Sequence, residues 1–134
     1  MITSPYEKYR QSSVQTSTPG QLLLMLYDGA IRFVRSGIDG LQKKDMQKAN
    51  LNLGKGQSIV NELLSTLDRT YEVSEGLASL YEYINHLLIE ANIKKNEQPA
   101  EEALGYLTDL RETFAQAAKL TVAGQSQGQE ILHG

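Results

Sequence analysis

Few side chains in this sequence can do chemistry near neutral pH. There are 2 histidines, His86 and His133, and no cysteine. Acid–base work, nucleophilic attack and metal capture draw mainly on His, Cys or a poised carboxylate pair, so the search narrows to the surroundings of His86. Glu82, His86 and Glu90 are four residues apart and share one helical face, which superficially fits metal ligation. A di-iron bundle needs Glu-x-x-His twice, pointing inward, whereas this trio lies off the apolar seam of its own segment and reads as a solvated face. The other chemistry open to His86 is phosphotransfer from an exposed histidine on a four-helix domain. Here Leu87, Leu88, Ile89 and Glu90 follow it, and a glutamate repels phosphate. Gly29, Gly37, Gly40, Gly54 and Gly56 make no phosphate-binding fingerprint, because no strand feeds a Gly-rich turn. They serve either close helix approach or a shallow channel for a partner backbone. No catalytic residue, metal ligand or cofactor is predicted.

The composition narrows the function classes further. A chain of 134 residues makes one ordinary domain, and folding at this size removes roughly 68% of the surface exposed when unfolded. Lack of cysteine excludes disulfides and thiolate catalysis and fits a reducing cytoplasm. The longest apolar run, from Leu22 to Tyr27, is far below the roughly 18 to 20 residues of a membrane span or the core of a signal peptide. A net charge of −3 with interspersed signs gives no broad basic field. Neither nucleic acid binding nor membrane insertion is expected.

Hydrophobic periodicity then supplies the elements. Residues 1–17 read as a loosely held N-terminal arm, in which Ser4, Pro5 and Glu7 fit a short helical start and Tyr6 and Tyr9 stand one turn apart. Thr18, Pro19 and Gln21 make a stronger start signal: hydroxyl cap, preset φ, and an amide that can reach back. Helices are expected at about 19–41, 46–68, 75–95 and 99–122, opened by Thr18, Asp45, Ser74 and Pro99, within a bundle spanning 18–123, followed by a flexible tail at 124–134. The seams place Leu23, Leu26 and Phe33 in the core, with Leu53, Val60, Leu63 and Leu67 from the second helix. Leu80, Ile84 and Leu87 join from the third, and Leu107, Leu110 and Phe114 from the fourth. Four helices of about 20 residues with short links predict an all-α, antiparallel up-down-up-down four-helix bundle.

The first helix carries more apolar surface than one seam requires. Leu24, Tyr27, Ile31, Val34, Ile38 and Leu41 form a second stripe, turned about 100° from the first. Leu51 and Ile59 in the second helix, and Ile89 and Ile93 in the third, also fall outside or at the margin of their seams. Two readings stand: this surplus is enclosed by the bundle and its arm, or it forms a groove for a partner.

Four segments, TSTPGQLLLMLYDGAIRF (16–33), LNLGKGQSIVNELLSTLD (51–68), LASLYEYINHLLIEAN (77–92) and LTDLRETF (107–114), together resemble the FliS family of flagellar export chaperones. The family often has Trp where this chain has Phe114. The resemblance implies a cytoplasmic, non-enzymatic chaperone that binds the disordered C-terminal segment of flagellin. Binding would prevent premature polymerisation and keep flagellin competent for flagellar type III secretion. It further implies contact with the flagellar export gate, a flagellin-binding assembly regulator as a third partner, and weak self-association. By register it places flagellin contacts at Tyr6, Tyr9, Asn50, Leu51, Asn52, Lys55, Ser58, Ile59, Tyr83 and Asn92, with the two arm tyrosines as a reversible lid, and leaves Tyr81 to the core. The alternatives are a phosphotransfer bundle using His86 and a homo-oligomeric helical scaffold.

Overall fold

The computed structural model describes residues 18–133, with side chains placed from residue 18 to residue 120. Within these bounds the chain forms four α-helices: α1 (Pro19–Gln42), α2 (Met46–Ser65), α3 (Val73–Lys94) and α4 (Glu97–His133). Each helix packs against its neighbour in the chain, and α4 closes the ring against α1. The bundle is antiparallel, as the cross-links show. Along α1 and α2, Gly29 faces Ile59, Gly37 faces Leu53 and Gly40 faces Ala49. Between α1 and α4, Asp28 pairs with Arg111 and Gln42 with Glu97.

Local chemistry sets the helix ends. Thr18 and Gln21 form a reciprocal capping box: the Gln21 N–H donates to Thr18 Oγ1 at 3.2 Å, and the Thr18 N–H donates to Gln21 Oε1 at 3.0 Å. Asp45 caps α2 by accepting from the Lys48 N–H at 3.1 Å. Lys95, at φ 51°, turns the chain out of α3, and the Asn96 N–H reaches back to the Ala91 carbonyl. Ser74 does not act as the expected cap. It lies buried inside the first turn of α3, its hydroxyl donating to the Tyr71 carbonyl at 2.6 Å. The α2 helix stops at Ser65, three residues short of the predicted end, and Asp68 then accepts from the Thr70 N–H to build the turn. Beyond Gly124, where a tail is expected from composition, the α4 backbone continues as helix to His133.

The core corrects the reading of α1. Its second stripe is not surplus surface: Tyr27, Ile31, Val34, Ile38 and Leu41 are all buried, together with Leu26 and Ala30. Leu23 and Phe33, from the seam expected to be central, are only partly buried at its margin. The reason is geometric. This helix packs along both α2 and α4 and reaches α3 through Tyr27, so a wide apolar arc is required. Leu53, Val60, Leu63, Ile84, Leu87 and Leu107 are buried, while Leu67, Leu80, Leu110 and Phe114 pack on the periphery.

Two glycines let α1 and α2 approach closely. A Cβ on Gly37 would lie 2.7 Å from the Leu53 side chain, and one on Gly40 would lie 2.7 Å from the backbone nitrogen of Ala49. Gly54 faces open space. Gly40→Ala is therefore expected to destabilise by about 1–3 kcal/mol through overpacking, even though alanine is the better helix former. Gly54→Ala is expected to stabilise by about 0.4–1 kcal/mol. Urea midpoints moving in opposite directions would confirm the assignment.

The core also holds a polar contact. Tyr27 and Tyr81, both buried, share a hydroxyl–hydroxyl hydrogen bond between α1 and α3, and the Tyr27 ring stacks on Phe114 at 5.7 Å. Burial, reinforced by the Tyr81 hydroxyl, pushes the Tyr27 pKa far above the ordinary tyrosine range, and burial also raises Tyr81. Their protons are held more tightly folded than unfolded. The stability contributed by the neutral pair is complete below about pH 10, where unfolded tyrosine titrates, and is lost as pH rises above it. Tyr27→Phe alone is expected to cost about 1–3 kcal/mol by orphaning the Tyr81 hydroxyl. Tyr27→Phe/Tyr81→Phe is expected to cost less than twice that and to flatten the alkaline loss of stability in pH-dependent urea melts.

Candidate protein-binding face

The rotational setting of α2 sorts its side chains into three directions. On the α1 side, Lys48 Nζ donates to Asp39 Oδ2 at 2.6 Å, and Lys55 Nζ sits 5.3 Å from the centre of the Phe33 ring. Lys48 and then Lys43 hold the Asp39 carboxyl below the usual carboxylate range by hydrogen bonding. Ile59 also points this way, buried against the Gly29 backbone. Asn52 lies between these groups and donates to the Lys48 carbonyl at 2.8 Å.

Towards α3 the contacts are amide to amide. Asn92 Nδ2 donates to Asn50 Oδ1 at 2.9 Å, and Asn85 Nδ2 donates to Asn61 Oδ1 at 2.7 Å. Two asparagine bridges thus join α2 and α3 along their outer seam. Asn85 Oδ1 is itself buried without a hydrogen-bond partner.

On either side of these bridges run two outward stripes. Leu51, Gly54 and Ser58 share one face of α2, while His86, Ile89 and Ile93 share one face of α3, both with spacings of three and four residues. Leu51 is 56% exposed, Ile89 43% and Ile93 75%. Gly54 adds no bulk, and the Ser58 hydroxyl turns back to the Gly54 carbonyl at 3.2 Å. A shallow depression of about 290 Å³ lies over α3 between His86, Ile89, Glu90, Ile93 and Lys94. Its polar edge is internally paired, with Lys94 Nζ 3.1 Å and His86 Nε2 4.0 Å from the Glu90 carboxylate. An acidic neighbour so close to His86 opposes a phosphoryl group, and among the described residues no three His, Asp or Glu side chains gather to hold a metal ion.

The structure therefore brings together only some of the residues selected from sequence. Asn50 and Asn92 meet at the α2–α3 seam, and Leu51 and Ser58 stand beside it on the outward face of α2. Asn52, Lys55 and Ile59 turn towards α1, and Ile59 is buried. Tyr83 lies on the other flank of α3, against α4, where its ring meets Tyr106 edge-on at 6.0 Å. Tyr6 and Tyr9 lie outside the described residues. Asn61 and Asn85 were not selected, although Asn61 is eleven residues from Asn50 and Asn85 seven from Asn92, spacings that return to the same side of a helix.

Comparison with known proteins gives the family context of this surface. The family model described as flagellar protein FliS matches residues 2–121. The chain belongs to the FliS family. It is 42% identical over 116 residues to the flagellar secretion chaperone FliS of Bacillus subtilis (strain 168), an alignment covering 87% of each protein. Its identity to the flagellar secretion chaperone FliS of Salmonella typhimurium is 31% over 109 residues, covering 79% of this chain and 81% of that one. A crystal structure described as a flagellar chaperone from bacteria superposes with a TM-score of 0.71 at 22% identity, covering 85% of this chain and 94% of that one. At that identity the superposition speaks for the fold. Family membership makes this bundle a flagellar secretion chaperone and not an enzyme, and among the described residues no helix is long and apolar enough to cross a membrane.

The asparagine bridges yield a stability contrast. Asn92→Ala removes two exposed hydrogen bonds, the one it donates to Asn50 and the one it accepts from Lys95, and is expected to cost about 0.5–1.5 kcal/mol. Asn85→Ala removes a hydrogen bond and a buried unpaired oxygen together, so its cost is expected to be smaller or of opposite sign in matched urea melts.

Proposed function

We propose that this FliS-family chain binds the disordered C-terminal segment of flagellin in the cytoplasm, laying it along the outer groove between α2 and α3. In this reading binding prevents premature polymerisation and presents flagellin to the flagellar export gate in a form competent for type III secretion. The observation that carries the placement is the pair of exposed apolar stripes, Leu51 on α2 and Ile89 and Ile93 on α3, either side of the asparagine bridges. A segment that folds as it binds must offset an ordering cost of about 1–2 kcal/mol per residue, which needs an extended apolar track rather than a single pocket. An amphipathic helix laid in this groove would set its apolar side chains over the stripes and its polar groups near Asn50, Ser58 and Asn92. Lys55 and Asn52 then flank the track, and Ile59 acts by holding α2 in position. The arm carrying Tyr6 and Tyr9 is the proposed lid, displaced by flagellin.

Calorimetry with a flagellin C-terminal peptide tests this reading. Leu51→Asp and Ile93→Asp each are expected to weaken binding about tenfold or more, the equivalent of one buried aliphatic side chain, with unfolding midpoints near the parent value. Equal affinity in both folded variants would rule out the α2–α3 placement. Ile59→Asp is unsuited to the purpose, because a carboxylate at that buried position is expected to unfold the bundle.

A further inference from the structure

The flank of α3 turned towards α4 carries a different surface. Tyr83 and Tyr106 are exposed to 42% and 37%, packed edge to face across the α3–α4 seam. The Tyr83 hydroxyl donates to Glu102 Oε2 at 2.7 Å. Glu102, Tyr106 and Asp109 share one stripe of α4, with spacings of four and three residues, and Glu90 lies two turns beyond Tyr83 on α3. A Cβ on Gly105, beside Tyr106, would meet nothing within 4 Å, so no side chain of the bundle crowds the surface there.

Charge separates this half of the bundle from the other. Residues 73–110 carry seven carboxylates against two lysines, whereas residues 19–72 carry six carboxylates against seven Lys and Arg. The negative excess of the whole chain, −3, is thus concentrated on α3 and the first turns of α4. Both lysines of that half are already engaged, Lys94 with Glu90 and Lys95 with Asn92. An acidic surface repels phosphate, which excludes nucleic acid and anionic lipid as occupants. Half-exposed tyrosine rings bordered by carboxylates suit a guanidinium or ammonium group, which gains attraction to the ring face and to the carboxylate together.

We infer that the α3–α4 face, centred on Tyr83, Glu102 and Tyr106, is a second docking surface that takes an arginine- or lysine-bearing segment of another protein. Ile89 and Ile93 are turned about 120° and 80° around α3 from Tyr83, so in this reading the surface stays open while the α2–α3 groove is filled. A loaded chaperone can therefore be read by a second protein without releasing its cargo.

The test is a heteronuclear NMR titration of the full chain with capped tetra-arginine peptide at low salt. The expected result is saturable shifts centred on the Tyr83, Glu102 and Tyr106 amides, weakened about fivefold by Tyr106→Leu and by Glu102→Gln and unchanged by Glu72→Gln in the α2–α3 turn. Shifts spread equally over Asp28, Asp39 and Asp68, a titration that does not saturate, or wild-type binding in both α4 variants would overturn the proposal. A flagellin C-terminal peptide added to the same sample is expected to leave the bound tetra-arginine in place. Competitive displacement would make this face part of the cargo site and would equally overturn a separate surface, while leaving flagellin binding itself established.

Discussion

The close approach of α1 and α2 governs the rest of the molecule. At Gly37 and Gly40 no side chain fits between the helices, so Leu53 and the Ala49 backbone lie directly against α1. A helix held this tightly cannot rotate about its axis without steric clash. The rotation so fixed turns Lys48, Lys55 and Ile59 towards α1, Asn50 and Asn61 towards α3, and Leu51 with Gly54 and Ser58 outwards. The exposed track thus follows from a contact on the opposite side of α2.

The joint between α2 and α3 is of another kind. Asparagine amides, not interdigitating aliphatic side chains, line its outer edge, and one oxygen is left buried and unpaired. Such a seam gives little cohesion for its length, because each exposed amide bridge replaces hydrogen bonds that water would otherwise supply. The interior beneath it is tied instead by Tyr27, which stacks on Phe114 of α4 and reaches the Tyr81 hydroxyl of α3. One residue of α1 therefore joins three helices, and the outer seam can keep polar groups available for a partner.

The α3 helix divides the surface. One side offers isoleucines beside the seam shared with α2, and the other offers Tyr83 to a face shared with α4. Their chemistries differ, aliphatic on one side and acidic-aromatic on the other. Residues that look equivalent along the sequence, such as Tyr81 and Tyr83, fall on opposite sides of this division because two positions along a helix turn the side chain through about 200°.

The sequence by itself determined the number of helices, their order and the starts of the first two, because capping and apolar spacing act within one or two turns and need no distant partner; α3 and α4 each begin two residues before the expected position. It also determined the family, through four segments in register. The tertiary structure alone decided which apolar stripe is core. Tyr27 and Val34 look like surplus beside the seam of Leu23 and Phe33 until α4 is placed against α1. It alone decided, too, that Ile59 is buried, that Asn50 meets Asn92, and that Tyr83 faces away from both. Helical periodicity relates positions along one helix but leaves the rotation of that helix against its neighbours free. Here that rotation is set by contacts between residues far apart in the chain, at Gly37 with Leu53 and Gly40 with Ala49 above all.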